Sequence, residues 1–149
     1  MEKIGIDVGG VILEYDLNFS KDEKNEGKFV ENSIETIELL SNKYELFIVS
    51  FCNEKTESKV RSILEQSSLR IPKNKWIFTR TRAEKADVCI KYNIDRLIDD
   101  TYQIHQYLLS KCPSVKRIWF NPDLQHNPKH KHITARNWSD IRQMLLPLQ

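Results

Sequence analysis

No two cysteines of this sequence stand close enough to form a CxxC pair: Cys52, Cys89 and Cys112 are odd in number and far apart. That spacing argues against a disulfide framework and a thiolate metal cage, and fits free thiols in a reducing compartment. Long apolar stretches are missing too. The chain opens on Met-Glu-Lys and a short apolar run, without a signal peptide or membrane span, so a cytoplasmic location is expected. Gly5, Gly9 and Gly10 form no GxGxxG, and GxxxxGK[ST] occurs nowhere, which excludes the dinucleotide and P-loop readings. A net charge of +2 is too small to name a nucleic-acid partner. With no repeat, low-complexity tract or linker, the 149 residues read as one domain, residues 1–149, large enough to bury its own core.

What is present is an alternation. The apolar runs "KIGIDV" (3–8), "YELFIVS" (44–50), "KWIFT" (75–79), "DRLID" (95–99) and "VKRIWF" (115–120) have the length and content of buried strands. Between them, apolar residues recur at helical spacing: Phe29, Ile34, Ile37 and Leu40; Val60, Ile63 and Leu64; Ala86, Cys89 and Ile90; Ile104, Tyr107 and Leu108. Strand and helix in turn imply an α/β, Rossmann-like fold: a five-stranded parallel sheet with helices on both faces, joined by right-handed crossovers. The segment "NWSDIRQMLLPL" starts on an Asn or Ser cap and reads as a closing helix. Residues 14–28 and 121–132 read as surface loops.

In such a sheet the ligand site lies at the carboxyl ends of the strands. Asp7 ends the first run, Ser50 the second, and Asp99-Asp100 the fourth, so three strands deliver carboxylates or a hydroxyl to one edge. Lys85, near the start of the helix after the third strand, stands on the same side, with Arg80, Arg82 and Lys91 close in sequence as alternative cations. Three carboxylates in one place need a cation, and an oxygen-only donor set that also receives phosphate suits Mg²⁺. A nucleophilic aspartate, a magnesium ion and a lysine are the parts of phosphoryl transfer through an aspartyl-phosphate.

The stretches "IGIDVGGVI", "FIVSFCN" and "RAEKADVCIKYNIDRLIDD" resemble, in order and spacing, the four motifs of the haloacid dehalogenase (HAD) superfamily of phosphatases and related hydrolases, and the likeness spans most of the chain. The end "ARNWSDIRQML" is similar to the last helix of small members. The resemblance implies Asp7 as nucleophile, Ser50 and Lys85 as the residues that orient the phosphoryl oxygens, and Phe51 as a further phosphate-binding position. It also implies Mg²⁺ held by Asp7, the Gly9 carbonyl, Asp99 and Asp100.

One position departs from that pattern. Most phosphatases of the superfamily have an aspartate two residues after the nucleophile as general acid and base, and this chain has Gly9. A positioned acid–base group contributes on the order of 10²–10⁴-fold. The expectation is a weak phosphatase, with Glu14 or Asp16 as substitutes for the missing group, or a degenerate scaffold that binds phosphate or a phosphorylated partner. The intervals Asp7–Ser50 and Lys85–Asp99 are too short for a folded cap domain. An open site is expected, and capless HAD-like proteins tend to act on macromolecules or to borrow a lid from a neighbouring subunit.

Other features carry less chemistry. His126, His130 and His132 lie in a loop without cysteine and beside lysines, a poor zinc cage. With Lys116, Arg117, Lys129, Lys131 and Arg136 they form a basic stretch that would guide a polyanion and supports a nucleic-acid end phosphatase as an alternative. Cys52, without a histidine partner, reads as a small core residue. A receiver domain shares the architecture but keeps its acidic pair on the first strand, whereas here the pair ends the fourth.

Overall fold

All five apolar runs become strands in the computed structural model, which describes residues 1–14, 28–123 and 133–147. β1 spans Lys3–Ile6, β2 Glu45–Phe51, β3 Trp76–Thr79, β4 Arg96–Asp99 and β5 Lys116–Phe120. Between them lie α1 (Ser33–Leu40), α2 (Glu54–Glu65), α3 (Glu84–Lys91) and α4 (Tyr102–Lys111), and α5 (Trp138–Leu145) closes the chain. The sheet has six strands where five were expected. The addition is β6 (Ile133–Ala135), parallel to β5 at the sheet edge. Only Ala135 of its three residues is buried, so it has neither the apolar run nor the alternation that marks a strand in sequence.

Every pairing is parallel, in the order β3-β2-β1-β4-β5-β6. From β1 the chain winds to β2 and β3 on one side, and from β4 to β5 and β6 on the other. The strand order therefore reverses between β1 and β4, and a crevice opens there at the carboxyl edge.

Period-two alternation divides the core into two layers. Ile4, Ile6, Leu46, Ile48, Ile98, Ile118 and Phe120 face α1, α2 and α5, packing with Ile37, Val60, Leu64, Trp138 and Ile141. Phe47, Val49 and Leu97 face α3 and α4, with Ala86, Cys89, Ile104 and Leu108. Gly5 belongs to the second row. A Cβ there would stand 2.9 Å from Leu97 Cδ1 and 3.0 Å from Val49 Cγ2, so the missing side chain is what lets β1 sit between its neighbours.

Local signals fix the helix ends. Asn53 accepts from the Thr56 amide at 2.8 Å to start α2, and Asn137 accepts from Asp140 at 2.9 Å to start α5. Helix α1 begins at Ser33, later than the spacing from Phe29 implied; Phe29 instead bridges Leu13 in the antiparallel sense. The buried Trp138 indole donates to the Val11 carbonyl at 2.7 Å, tying α5 to the loop that follows Asp7. Among the described residues no domain is inserted between the strands, and no helix is long and apolar enough to cross a membrane. The expected loop residues Asp16, His126, Lys129, His130, Lys131 and His132 lie outside the described residues.

Candidate active site

The same alternation that builds the core aims the site. Asp7, one residue past β1, follows Gly5 in register, and Asp99 follows Leu97 on β4, so both carboxylates turn to the α3/α4 face. Lys85, in the first turn of α3, meets them there. Its ammonium donates to Asp7 Oδ1 at 2.9 Å and to Asp99 Oδ2 at 2.6 Å, with all three side chains almost wholly buried. Asp100 completes the cluster: one oxygen from each of Asp7, Asp99 and Asp100 lies within 4.8 Å of the others.

The ends of β1 and β4 are anchored. The Asp7 amide donates to the Ile98 carbonyl at 3.0 Å, and the other Asp99 oxygen, Oδ1, accepts from the Thr101 amide at 2.9 Å where α4 begins. Behind the carboxylates, a His105 ring nitrogen lies 2.8 Å from the Asp99 carbonyl, and the Trp119 indole donates to the Asp100 carbonyl at 3.1 Å. After Asp7 the chain turns sharply, with the amides of Val11, Ile12 and Leu13 all directed at the Val8 carbonyl. Gly10 has φ 77°, a conformation that favours glycine, whereas Gly9 has no such requirement.

Among the described residues the cluster sets three carboxylates against one buried ammonium. Burial and then the neighbouring Asp99 carboxylate push the Asp7 carboxyl well above its ordinary range, against the pull of Lys85. Burial also works against the charged Lys85, but Asp7 and Asp99 outweigh it and hold the ammonium protonated beyond its usual range. A hard divalent cation fits this donor set, since oxygen ligands are offered and excess negative charge is available to offset it.

A cavity of about 230 Å³ opens over the cluster, lined by Asp7, Gly9, Phe51, Arg82, Lys85, Thr101 and Ile104. The structure thus gathers Asp7, Lys85, Asp99 and Asp100 into one charged cluster, and sets Gly9 and Phe51 on the wall above it. Ser50 is buried at the end of β2 in the row of Leu46 and Ile48, one residue behind Phe51 and not on that wall. Cys52 is half-buried just past β2 rather than in the core, and burial raises its thiol pKa.

Of the alternative cations, Arg80 is paired with Glu57 at 2.7 Å, and Lys91 stands at the far end of α3, over the Tyr92 ring. In the described part of the basic stretch, Lys116 begins β5 at the opposite edge of the sheet, Arg117 is buried, and Arg136 is paired with Asp140 at 3.0 Å. The sequence reading missed Thr101, Ile104, His105 and Trp119. Only Thr101, directly after the acidic pair, carried a local signal.

No protein-family model and no curated protein matches the chain. Solved structures do. D,D-heptose 1.7-bisphosphate phosphatase from B. bronchiseptica, complexed with magnesium and phosphate, superposes with a TM-score of 0.68 at 13% identity, covering 98% of each chain. A haloacid dehalogenase-like hydrolase from Burkholderia xenovorans gives 0.70 at 10% identity over 96% of each chain. The chain has the HAD-like fold. The HAD-hydrolase YfnB from Bacillus subtilis, bound to magnesium, gives 0.61 at 15% identity over 82% of this chain, which spans 58% of that one. With so little identity, the likeness lies in the HAD-like arrangement of strands and helices, with Asp7 and Asp99 at its switch point.

Proposed function

We propose that the chain is a magnesium-dependent phosphatase that hydrolyses a phosphomonoester through an aspartyl-phosphate on Asp7. The observation that carries this reading is the buried Lys85 ammonium shared by Asp7 and Asp99, with Asp100 alongside, at the carboxyl edge of a parallel sheet. Further support comes from the HAD-like fold shared with a phosphatase whose structure holds magnesium and phosphate.

Magnesium would be held by Asp7, the Gly9 carbonyl, Asp99 and Asp100, and would supply positive charge against the carboxylates and the phosphoryl oxygens. Asp7 attacks phosphorus, forming the carboxylate–phosphorus bond as the ester oxygen leaves with its electron pair and takes a proton from solvent. Water then attacks the aspartyl-phosphate, the bond to Asp7 breaks, and inorganic phosphate departs. Lys85 orients Asp7 and receives phosphoryl charge, and the Phe51 amide contributes to phosphoryl binding, while Ser50, behind the wall, supports that strand end.

Gly9 favours a second reading, a scaffold that binds a phosphorylated partner without turnover, because no carboxylate stands two residues after Asp7. One assay separates the two: hydrolysis of p-nitrophenyl phosphate, whose leaving group needs little acid assistance, by the wild type and Asp7→Asn with and without magnesium. Hydrolysis that needs both Asp7 and magnesium is the expected result. A folded wild type that binds magnesium without hydrolysis would leave the scaffold.

A further inference from the structure

Arg80 and Arg82 follow β3 two residues apart and are used differently. Arg80 is committed to structure, donating to the Glu57 carboxylate at 2.7 Å and to the Cys52 carbonyl at 3.0 Å. Arg82 forms no ion pair among the described residues. It donates to a neutral group, Gln103 Oε1, at 3.1 Å, and the Gln103 amide in turn donates to the Tyr107 hydroxyl at 3.4 Å. Its guanidinium also lies over the Phe51 ring, 5.4 Å from the centroid.

The two residues of that stack occupy a defined place. Phe51 and Arg82 are both exposed, and both line the cavity whose buried end is Asp7 and Lys85. At about 230 Å³ the cavity is smaller than the roughly 300–1,000 Å³ of a drug-sized ligand pocket. That is room for a phosphoryl group and a short stem, with Arg82 and Phe51 as the exposed residues of its lining.

A guanidinium has five donors in a planar fork that matches carboxylate and phosphate oxygens. One donor of Arg82 is bound to Gln103, and the contact with the Phe51 ring holds the guanidinium further, so less side-chain freedom is lost when an anion is captured. A positive charge without an ionic partner among the described residues, held by neutral groups beside a phosphate-sized cavity, is suited to a second anion.

We infer that Arg82, held by Phe51 and Gln103, is a specificity-determining residue that binds a second anionic group of the substrate. The substrate class is then a small phosphomonoester carrying a carboxylate or another phosphate near the scissile one. The inference rests on the phosphatase reading for the identity of the first group.

Binding of non-hydrolysable phosphonates in the presence of magnesium tests it without turnover. The three probes are propylphosphonate, 3-phosphonopropionate and propane-1,3-diphosphonate, measured by calorimetry on the wild type, Arg82→Gln, Arg82→Lys and Phe51→Leu. The wild type is expected to prefer a probe with two anionic groups over propylphosphonate by about tenfold. Whichever of the two is preferred identifies the second group as carboxylate or phosphate. Arg82→Gln is expected to abolish the preference, and Arg82→Lys and Phe51→Leu to keep part of it. Wild type that binds all three probes equally, or a preference that survives in Arg82→Gln, overturns the subsite while leaving the phosphate site standing. Failure of every probe to bind the folded wild type overturns the phosphate site and the subsite together.

Discussion

The ammonium of Lys85 lies 2.9 Å from a carboxylate oxygen of Asp7, although 78 residues separate them in the chain. The contact joins the first turn of α3 to the end of β1 and depends on the crossover that carries the chain from β3 over to β4. With Asp99 as the second acceptor, Lys85 is the common counter-ion of the two strands that flank the switch point.

Removing that counter-ion should be costly. Lys85→Met leaves Asp7 and Asp99 buried and facing each other, and breaking a buried pair in this way destabilises by about 3–5 kcal/mol. Urea unfolding of the variant in chelator should show a loss of this size, with magnesium recovering part of it. A loss below about 1 kcal/mol would mean that the cluster is solvated and that Lys85 is not its structural cation.

Magnesium should stabilise the wild type. A ligand that binds only the folded state adds about 2.7 kcal/mol at a hundred times its Kd. Thermal unfolding should therefore shift upward with magnesium, and the shift should shrink strongly in Asp99→Asn and Asp100→Asn. An equal shift in the wild type and both variants would place the ion elsewhere.

The Asp7 carboxyl binds its proton more tightly in the folded chain than in the unfolded one, because of burial and then Asp99. Folding then takes up a proton, and the contribution of Asp7 to stability falls as pH rises through and above the ordinary carboxylate range. In chelator, Asp7→Asn should gain on the wild type as pH rises through and above the ordinary carboxylate range. Parallel stability curves for the two proteins would contradict the raised pKa.

Gly9 does not adopt a left-handed conformation, so its backbone admits an aspartate. Gly9→Asp should fold and should speed turnover of phosphate esters with poor leaving groups more than that of p-nitrophenyl phosphate, by up to the order of 10²-fold. An unchanged or slower rate in a folded variant would show that another group already transfers the proton, or that the site does not turn over.

Gly5→Ala tests the core beneath the site. The added methyl meets Leu97 and Val49 at about 3 Å, and overpacking of this kind costs about 1–3 kcal/mol. Denaturant unfolding should show that loss, while a neutral outcome would mean that the α3/α4 layer yields more readily than its packing implies.

The sequence by itself determined the order of strands and helices, because apolar runs and helical spacing are local properties. The parallel sheet followed from that order, and the edge at which Asp7, Asp99 and Asp100 gather followed from the sheet. Strand β6 escaped because three residues at an edge, two of them exposed, leave no pattern to read. The family resemblance pointed to Lys85 and left Arg80, Arg82 and Lys91 as alternatives; only the tertiary structure decided what the cations do, because helix phase together with the Glu57 pair assigns Lys85 to the carboxylates, Arg80 to structure and Arg82 to the cavity wall. It likewise set Phe51 on that wall and Ser50 behind it, since the period-two alternation of a strand sends neighbouring side chains to opposite faces.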